Sequence, residues 1–259
     1  MSGNRKTLVP ATARTDLQLI ELFSSLQGEG LHIGRREIFL RLAGCNLGCA
    51  YCDTPYAAGD VWTVEREPGS GRFESYPNPA SLERCLDILD DWCDRGSGLH
   101  SALNLTGGEP LLQGEALQTW VPELRQRLPI HLETNGSLPA ALSPLLPFLS
   151  FLSIDLKLAD TCEEPTPWDC HREFLRLACH KPGQVKLVVG PAQGEQELLK
   201  AVRLVADEAP GYPIILQPLT EKGRPSVSGE HLLRLQEIAA AIHPETLVIP
   251  QVHPLLNLA

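Results

Sequence analysis

The sequence predicts an α/β fold, a single domain with a parallel sheet built from βα repeats in the manner of an α/β barrel. Three observations carry this. From residue 78 onward, short apolar runs alternate with longer stretches whose apolar residues recur at three-to-four spacing, the pattern of a parallel sheet made from βαβ units. The Gly-rich, polar and charged clusters follow the short runs rather than precede them, and in a βα barrel the loops after the strands build the active site. A length of 259 residues with 43% hydrophobic content fits one large α/β domain with a sizeable core.

The elements follow in order. Residues 16–23 (DLQLIELF) alternate apolar and polar, which predicts a strand. Residues 24–34 (SSLQGEGLHIG) read as a loop, and 37–43 (EIFLRLA) as the strand that delivers the cysteines. The polar stretch 57–79 reads as an insertion or lid, with a hairpin around Val61-Trp62-Thr63-Val64. Asn78 and Pro79 predict a helix start, and Leu82, Leu86, Leu89 and Cys93 its apolar face up to Gly96. Strands are expected at 101–105, 130–132, 151–154, 185–189, 214–216 and 246–249. Helices are expected at 114–128, 171–180, 193–208 and 230–242, with a short proline-rich one after residue 137. The chain divides into substrate and cluster loops (16–56), the insertion (57–79), the βα repeats (80–250) and a tail (251–259) within one domain spanning 1–259.

The formal charge of −10 disfavours a nucleic-acid partner, which would want a basic face. No apolar run approaches the length of a membrane span, and residues 1–15 lack the apolar centre of a signal peptide. The expected place is therefore the reducing cytoplasm, where eight cysteines are thiols or metal ligands rather than disulfides.

Three of those cysteines, Cys45, Cys49 and Cys52, are spaced CxxxCxxC. Thiolates that close on one loop can face a single inorganic centre. A structural zinc normally takes four protein ligands, whereas three cysteines on a four-iron cluster leave one iron open to a small molecule. Further along, the predicted strands end in Thr106-Gly107-Gly108-Glu109-Pro110, Glu133-Thr134-Asn135-Gly136-Ser137 and Ser153-Ile154-Asp155-Leu156-Lys157. Glycines after a strand let backbone approach a ligand closely. Each cluster alone has a plainer reading as a turn or a rim ion pair; placed after successive strands, they converge on one mouth. Cys85 and Cys93 fall on a helical stripe and read as buried thiols.

CxxxCxxC with Tyr51 before the last cysteine, followed by TGGEP, resembles the radical S-adenosylmethionine (SAM) enzymes. Leu26-Gln27-Gly28-Glu29-Gly30 and the run from Phe39 to Thr54 further resemble the 7-carboxy-7-deazaguanine synthase family. This resemblance covers about residues 19–56, resumes at TGGEP and ETNG, and returns weakly at Pro250-Gln251-Val252-His253. It implies a partial, open TIM-like βα barrel of the radical SAM type and a 4Fe-4S cluster on Cys45, Cys49 and Cys52. It also implies SAM held by Tyr51, Asp53, Gly108, Glu109, Asn135, Ser153, Asp155, Lys157 and Gln217. The family's substrate, 6-carboxy-5,6,7,8-tetrahydropterin, would be held by Leu26, Gln27, Gly28, Glu29, Arg41, Thr106 and His253. Arg41 suits the substrate carboxylate, as a planar fork. The Thr54 hydroxyl suits Mg²⁺, a hard cation. The implied reaction contracts the pterin ring to a deazapurine with loss of ammonia, in the pathway to queuosine. An electron donor such as flavodoxin or ferredoxin and a homodimer are also implied. Two alternatives share the cysteine spacing: an activase that abstracts hydrogen from a glycine of a partner protein, and a non-enzymatic zinc module with a fourth ligand such as His32.

Overall fold

In the parallel strands every second side chain is a fully buried Leu, Ile or Val, and this row sets the architecture. Ile38, Leu40, Leu103, Leu105, Leu132, Leu152, Ile154, Val185, Leu187, Ile214 and Leu216 are all at most 1% exposed. They lie under the helices and form one continuous core. Burying each contributes about 1.5–3 kcal/mol. The computed structural model describes residues 15–52, 54, 56–96, 98–256 and 258.

The strands are β1 (Leu19–Leu26), β2 (Arg36–Leu42), β3 (Val61–Glu65), β4 (Phe73–Pro77), β5 (Leu103–Gly107) and β6 (Ile130–Thr134). They continue with β7 (Leu149–Asp155), β8 (Gly183–Val189), β9 (Ile214–Pro218), the short hairpin β10 (Thr220–Glu221) and β11 (Arg224–Pro225), and β12 (Thr246–Val248). The helices are α1 (Leu82–Arg95), α2 (Gly114–Leu124), α3 (Pro139–Leu142), α4 (Ala159–Cys162), α5 (Trp168–Ala178), α6 (Glu195–Glu208), α7 (Gly229–Ala240) and α8 (His253–Leu256). The main sheet has the order β12-β9-β8-β7-β6-β5-β2-β1-β3-β4, with β12 and β4 as unpaired edges. It is an open barrel, as expected. From β2 through β5, β6, β7, β8, β9 and β12 all pairings are parallel.

Several expectations change. The first strand does not join the parallel series: β1 runs antiparallel to β2, with Leu26 opposite Arg36. It also runs three residues further than its alternation indicated, so Ser24 to Leu26 are strand rather than loop. The loop between β1 and β2 therefore starts at the amino end of the barrel. The stretch expected to be an insertion or lid forms the hairpin β3–β4, which continues the sheet beyond β1. Trp62 and Val64 anchor it at 1% and 2% exposure. Asn78 does not cap α1. Ser81 does, its Oγ accepting from Arg84 N. Asn78 instead joins β1 to the hairpin, accepting from Leu19 N at 3.1 Å and donating to Leu19 O and Gly59 O. Cys85 is fully buried, but Cys93 only half-buried. No described helix is long and apolar enough to cross a membrane.

Candidate active site

The other alternate side chains of β2 and β5–β9 face the inside of the barrel, and most of them are polar. With the loops at the carboxyl ends of these strands they line a cavity of about 500 Å³. Its mouth is the cysteine loop. Cys45, Cys49, Cys52, Tyr51 and Thr54 line it from above. The loop is pinned by backbone: Gly44 N donates to Tyr56 O at 2.6 Å, Glu109 N to Gly44 O at 2.9 Å, and Ala50 N to Cys162 O at 3.0 Å. A Cβ on Gly108 would stand 2.3 Å from Gly44 O and 2.7 Å from Cys45 Cβ, so only glycine lets the TGGEP strand end lie against this loop.

Side chains tie the loops to one another. Asn46 Nδ2 donates to Ser137 Oγ at 2.8 Å, and Asn135 Nδ2 to Asn46 Oδ1 at 3.0 Å. Asn46 thus joins the cysteine loop to the loop after β6. Glu109, expected to face SAM, is fully buried behind the cavity wall and does not line it. Its carboxylate accepts from Asn135 N at 2.7 Å, Leu111 N at 3.0 Å and Thr134 Oγ1 at 2.9 Å, which locks the loop after β5 to the loop after β6. Burial outweighs these donors and raises its pKa to about 7.

The walls carry alternating charge. Asp155 accepts from Lys157 at 2.6 Å and lies 3.1 Å from Lys186, its register partner on β8. Lys157 donates to Tyr51 Oη at 3.1 Å and lies 5.2 Å from the centre of that ring. Burial works against the Lys157 charge, but Asp155 foremost holds its pKa well above the usual lysine range. Glu29 is gripped by Lys186 and accepts from Gln217 and Gln251 at 3.0 and 2.6 Å. Burial alone would raise the Glu29 pKa; Lys186 and the hydrogen bonds more than offset this and hold it at about 2. Beside it, Glu133 accepts from Gln27 Nε2 at 2.8 Å, Asn104 Nδ2 at 2.9 Å and Thr106 Oγ1 at 3.0 Å. Arg41 stands at the rim, bonded to Glu21 at 2.7 Å and lying over the Phe23 ring.

The chain's far end completes the cavity. Val252 N donates to Gly28 O at 2.9 Å, and a Cβ on Gly28 would meet His253 Nδ1 at 2.3 Å. His253 and Leu258 both line the cavity, so the tail returns to the site.

Of the residues singled out from sequence, Leu26, Gln27, Gly28, Glu29, Arg41, Tyr51, Thr54, Thr106, Gly108, Asn135, Ser153, Asp155, Lys157, Gln217 and His253 line this cavity with the three cysteines. Glu109 does not, and Asp53 lies outside the described residues. Glu133, Lys186 and Gln251 were missed. Glu133 and Gln251 stand in segments already singled out, Glu133-Thr134-Asn135-Gly136-Ser137 and Pro250-Gln251-Val252-His253, and for Lys186 the signal was present as a charged residue between buried Val185 and Leu187.

The donor set fits an iron–sulfur cluster and SAM. The Cys45, Cys49 and Cys52 side chains line one space, and three thiolates leave one iron of a four-iron cluster open to a small molecule. His32 sits among residues of the barrel floor and is no fourth ligand to them. Buried Asp155 Oδ1, Gln217 Oε1 and Thr220 Oγ1 have no hydrogen-bond partner among the described residues, and all three residues line the cavity. Such atoms call for a polar ligand.

Comparison with known proteins agrees. Residues 40–205 match the radical SAM superfamily. The chain is 39% identical to the 7-carboxy-7-deazaguanine synthase of Geobacter sulfurreducens, over 91% of this chain and 95% of that protein. It is 32% identical to the enzyme of the same name from Methanothermobacter thermautotrophicus, over 93% and 97%. The crystal structure of QueE from Escherichia coli shares the fold, with a TM-score of 0.55 at 20% identity over 91% of this chain and 94% of that one. Streptococcus suis SuiB bound to S-adenosylmethionine does so more loosely, at a TM-score of 0.51 and 13% identity over 79% of this chain and 44% of that one. With a three-cysteine mouth, a polar barrel interior and relatives matched along nearly their whole length, the chain belongs to the 7-carboxy-7-deazaguanine synthase family of the radical SAM superfamily.

Proposed function

We propose that this chain is a carbon–nitrogen lyase that converts 6-carboxy-5,6,7,8-tetrahydropterin to 7-carboxy-7-deazaguanine with loss of ammonia, in 7-deazapurine biosynthesis. The observation that carries the substrate is the pair of carboxylates, Glu29 and Glu133, held inside the barrel beneath the cysteine loop. A pterin offers a guanidine-like edge rich in N–H donors, which carboxylates accept well.

When bound, the cluster on Cys45, Cys49 and Cys52 and the SAM it holds supply one-electron hydrogen-atom abstraction. The protein's share is positioning. Gln27, hydrogen-bonded to Glu133, and the Glu29 N–H, bonded to Gln27 Oε1 at 3.0 Å, fix the reading edge in place. Arg41 at the rim supplies the fork for the substrate carboxylate. Lys186, between Glu29 and Asp155, keeps both acids ionised at neutral pH. Asn135, Ser153, Asp155, Lys157, Gln217 and the Gly108 backbone form the SAM wall. Gln251, His253 and Leu258 close the remaining side against water. We assign Thr54 to Mg²⁺, which would neutralise substrate carboxylate charge. A small flavodoxin or ferredoxin is the proposed electron donor, and a homodimer the proposed assembly.

The test is anaerobic. Reconstituted protein, SAM, reductant, Mg²⁺ and 6-carboxytetrahydropterin are combined and products followed by mass spectrometry. The expected product is 7-carboxy-7-deazaguanine, abolished by Cys49→Ala and with KM raised roughly 10- to 100-fold by Arg41→Ala, the loss of a charged hydrogen bond. Cleavage of SAM to 5′-deoxyadenosine with the pterin left intact would overturn the substrate assignment and favour an activase.

A further inference from the structure

A second polar cluster lies under the substrate layer, at the floor of the barrel, and the reaction does not use it. Glu37, at the amino end of β2, is completely buried. Its Oε1 lies 3.0 Å from His131 Nδ1 and 3.9 Å from His32 Nδ1. Its Oε2 accepts from Asn104 Nδ2 at 2.9 Å. Among the described residues its ion-pair partners are these two imidazoles, with no lysine or arginine among them. A buried carboxylate without a fixed cation is costly, so positive charge is wanted here.

Two imidazoles converging on one carboxylate oxygen are the residue types that hold zinc or ferrous iron. The three ligand atoms lie within 4.8 Å of one another. Two donors each about 2.1 Å from a tetrahedral ion stand roughly 3.4 Å apart. The separation of 3.0 Å already lies within that, the one of 3.9 Å would close by about 0.5 Å, and the widest one permitted by the 4.8 Å limit by about 1.4 Å, movements within reach of a side chain on a loop. His32 can supply it. It stands on the short 3-10 turn Gly30–His32 with its side chain 18% exposed, while Glu37 and His131 are fixed on paired strands. The His32 ring lies 4.1 Å from Phe151 and 4.7 Å from His131, centre to centre. Asn104 Oδ1 is buried with no hydrogen-bond partner among the described residues, and Asn104 borders the same small cavity as His32 and His131. A water on an ion at this site would find an acceptor there.

We propose that His32, Glu37 and His131 form a site for a divalent transition-metal ion, zinc or ferrous iron, separate from the cysteine loop. Because His32 follows Gln27 and Glu29 on one loop, the ion pins the substrate-reading loop to β2 and β6.

The experiment uses cluster-loaded protein, incubated anaerobically with zinc sulfate and stripped of loose metal on a chelating resin. Zinc and iron are counted by elemental mass spectrometry, and the zinc ligands are read by K-edge X-ray absorption. The expected result is one retained zinc per chain beyond the cluster iron, with nitrogen and oxygen ligands, imidazole scattering and no sulfur. His32→Ala and His131→Ala should each cut retained zinc at least ~10-fold with iron content unchanged, as expected for loss of one ligand. Zinc should also raise the melting temperature of the wild type and not of His32→Ala, a variant in a partly exposed turn that leaves the strands intact. Absence of retained zinc, sulfur in its ligand shell, or retention by either variant equal to that of the wild type would overturn the site.

Discussion

The two faces of the parallel strands are opposites. Outward, Leu103, Leu105, Ile130, Leu132, Leu152, Ile154, Val185, Leu187, Ile214 and Leu216 are all completely buried under the helices. Inward, the residues between them are Asn104, Thr106, His131, Glu133, Ser153, Asp155, Gln184, Lys186, Ile215 and Gln217. Parallel sheets covered on both faces usually read as near-continuous apolar runs. Here the strands alternate instead, although both faces are covered. A closed barrel fills its centre with branched apolar side chains. An open one leaves room for ligands, and its inner face can be polar because the polar groups satisfy one another across the space. The outer face supplies stability; the inner face supplies recognition.

The largest way to break this division is to remove charge from the inner face. Lys186→Met leaves Glu29 and Asp155 buried with one ammonium, Lys157, where there were two. Breaking a buried pair costs about 3–5 kcal/mol. We expect a loss of that order in unfolding free energy by urea titration, and a kcat/KM reduced by at least ~10²-fold. A near-wild-type turnover would show that Lys186 only fills space. Leu132→Ala is the outer-face counterpart. It should lower stability by about 2–5 kcal/mol through the cavity it leaves, with kcat/KM per cluster-loaded chain unchanged at temperatures where the variant is folded. A large kcat/KM effect would mean that the two faces are coupled.

The same contrast explains what the sequence made legible. The outer face and the strand ends could be read, because each depends on local pattern. Leu82, Leu86 and Leu89 mark a helix wherever they occur, and Cys45, Cys49 and Cys52 declare their chemistry by spacing alone. Ser153, Asp155 and Lys157 were found because they end a strand. Lys186 and Asn104 were not, since a polar residue between apolar ones in a strand reads equally as solvent-facing. Only the curvature of the sheet turns that face inward. Glu29 meets Lys186 across 157 positions of sequence, and Gln251 across 222. The direction of β1 was missed for a related reason. Its alternation fixes a strand, but pairing direction depends on a loop of nine residues (27–35) that crosses the floor. The start of α1 went to Ser81 rather than Asn78 because Asn78 is taken by three backbone partners of β1 and the loop before β3.

Glu109 gives the smallest and sharpest test, since it belongs to neither face. It is fully buried behind the wall and tied to two loops rather than to a ligand. Burial raises its pKa from 4.5 to about 7 in the folded chain. The folded state therefore binds its proton more tightly than the unfolded state. Its contribution to stability is fully present below the unfolded value of 4.5, declines as pH rises, and levels off above about 7. Between about pH 5.5 and 7.5 this one group should cost about 2 kcal/mol. Glu109→Gln cannot titrate, and it keeps an acceptor for Asn135 N or Leu111 N. Denaturation of both proteins at several pH values across that window should show a steeper decline in the wild type, so the variant gains relative stability toward the alkaline end. Parallel curves would mean that the hydrogen bonds from Asn135, Leu111 and Thr134 keep the carboxylate ionised throughout. In that case the bridge between the two loops is charge-assisted, and Gln would weaken it equally at every pH.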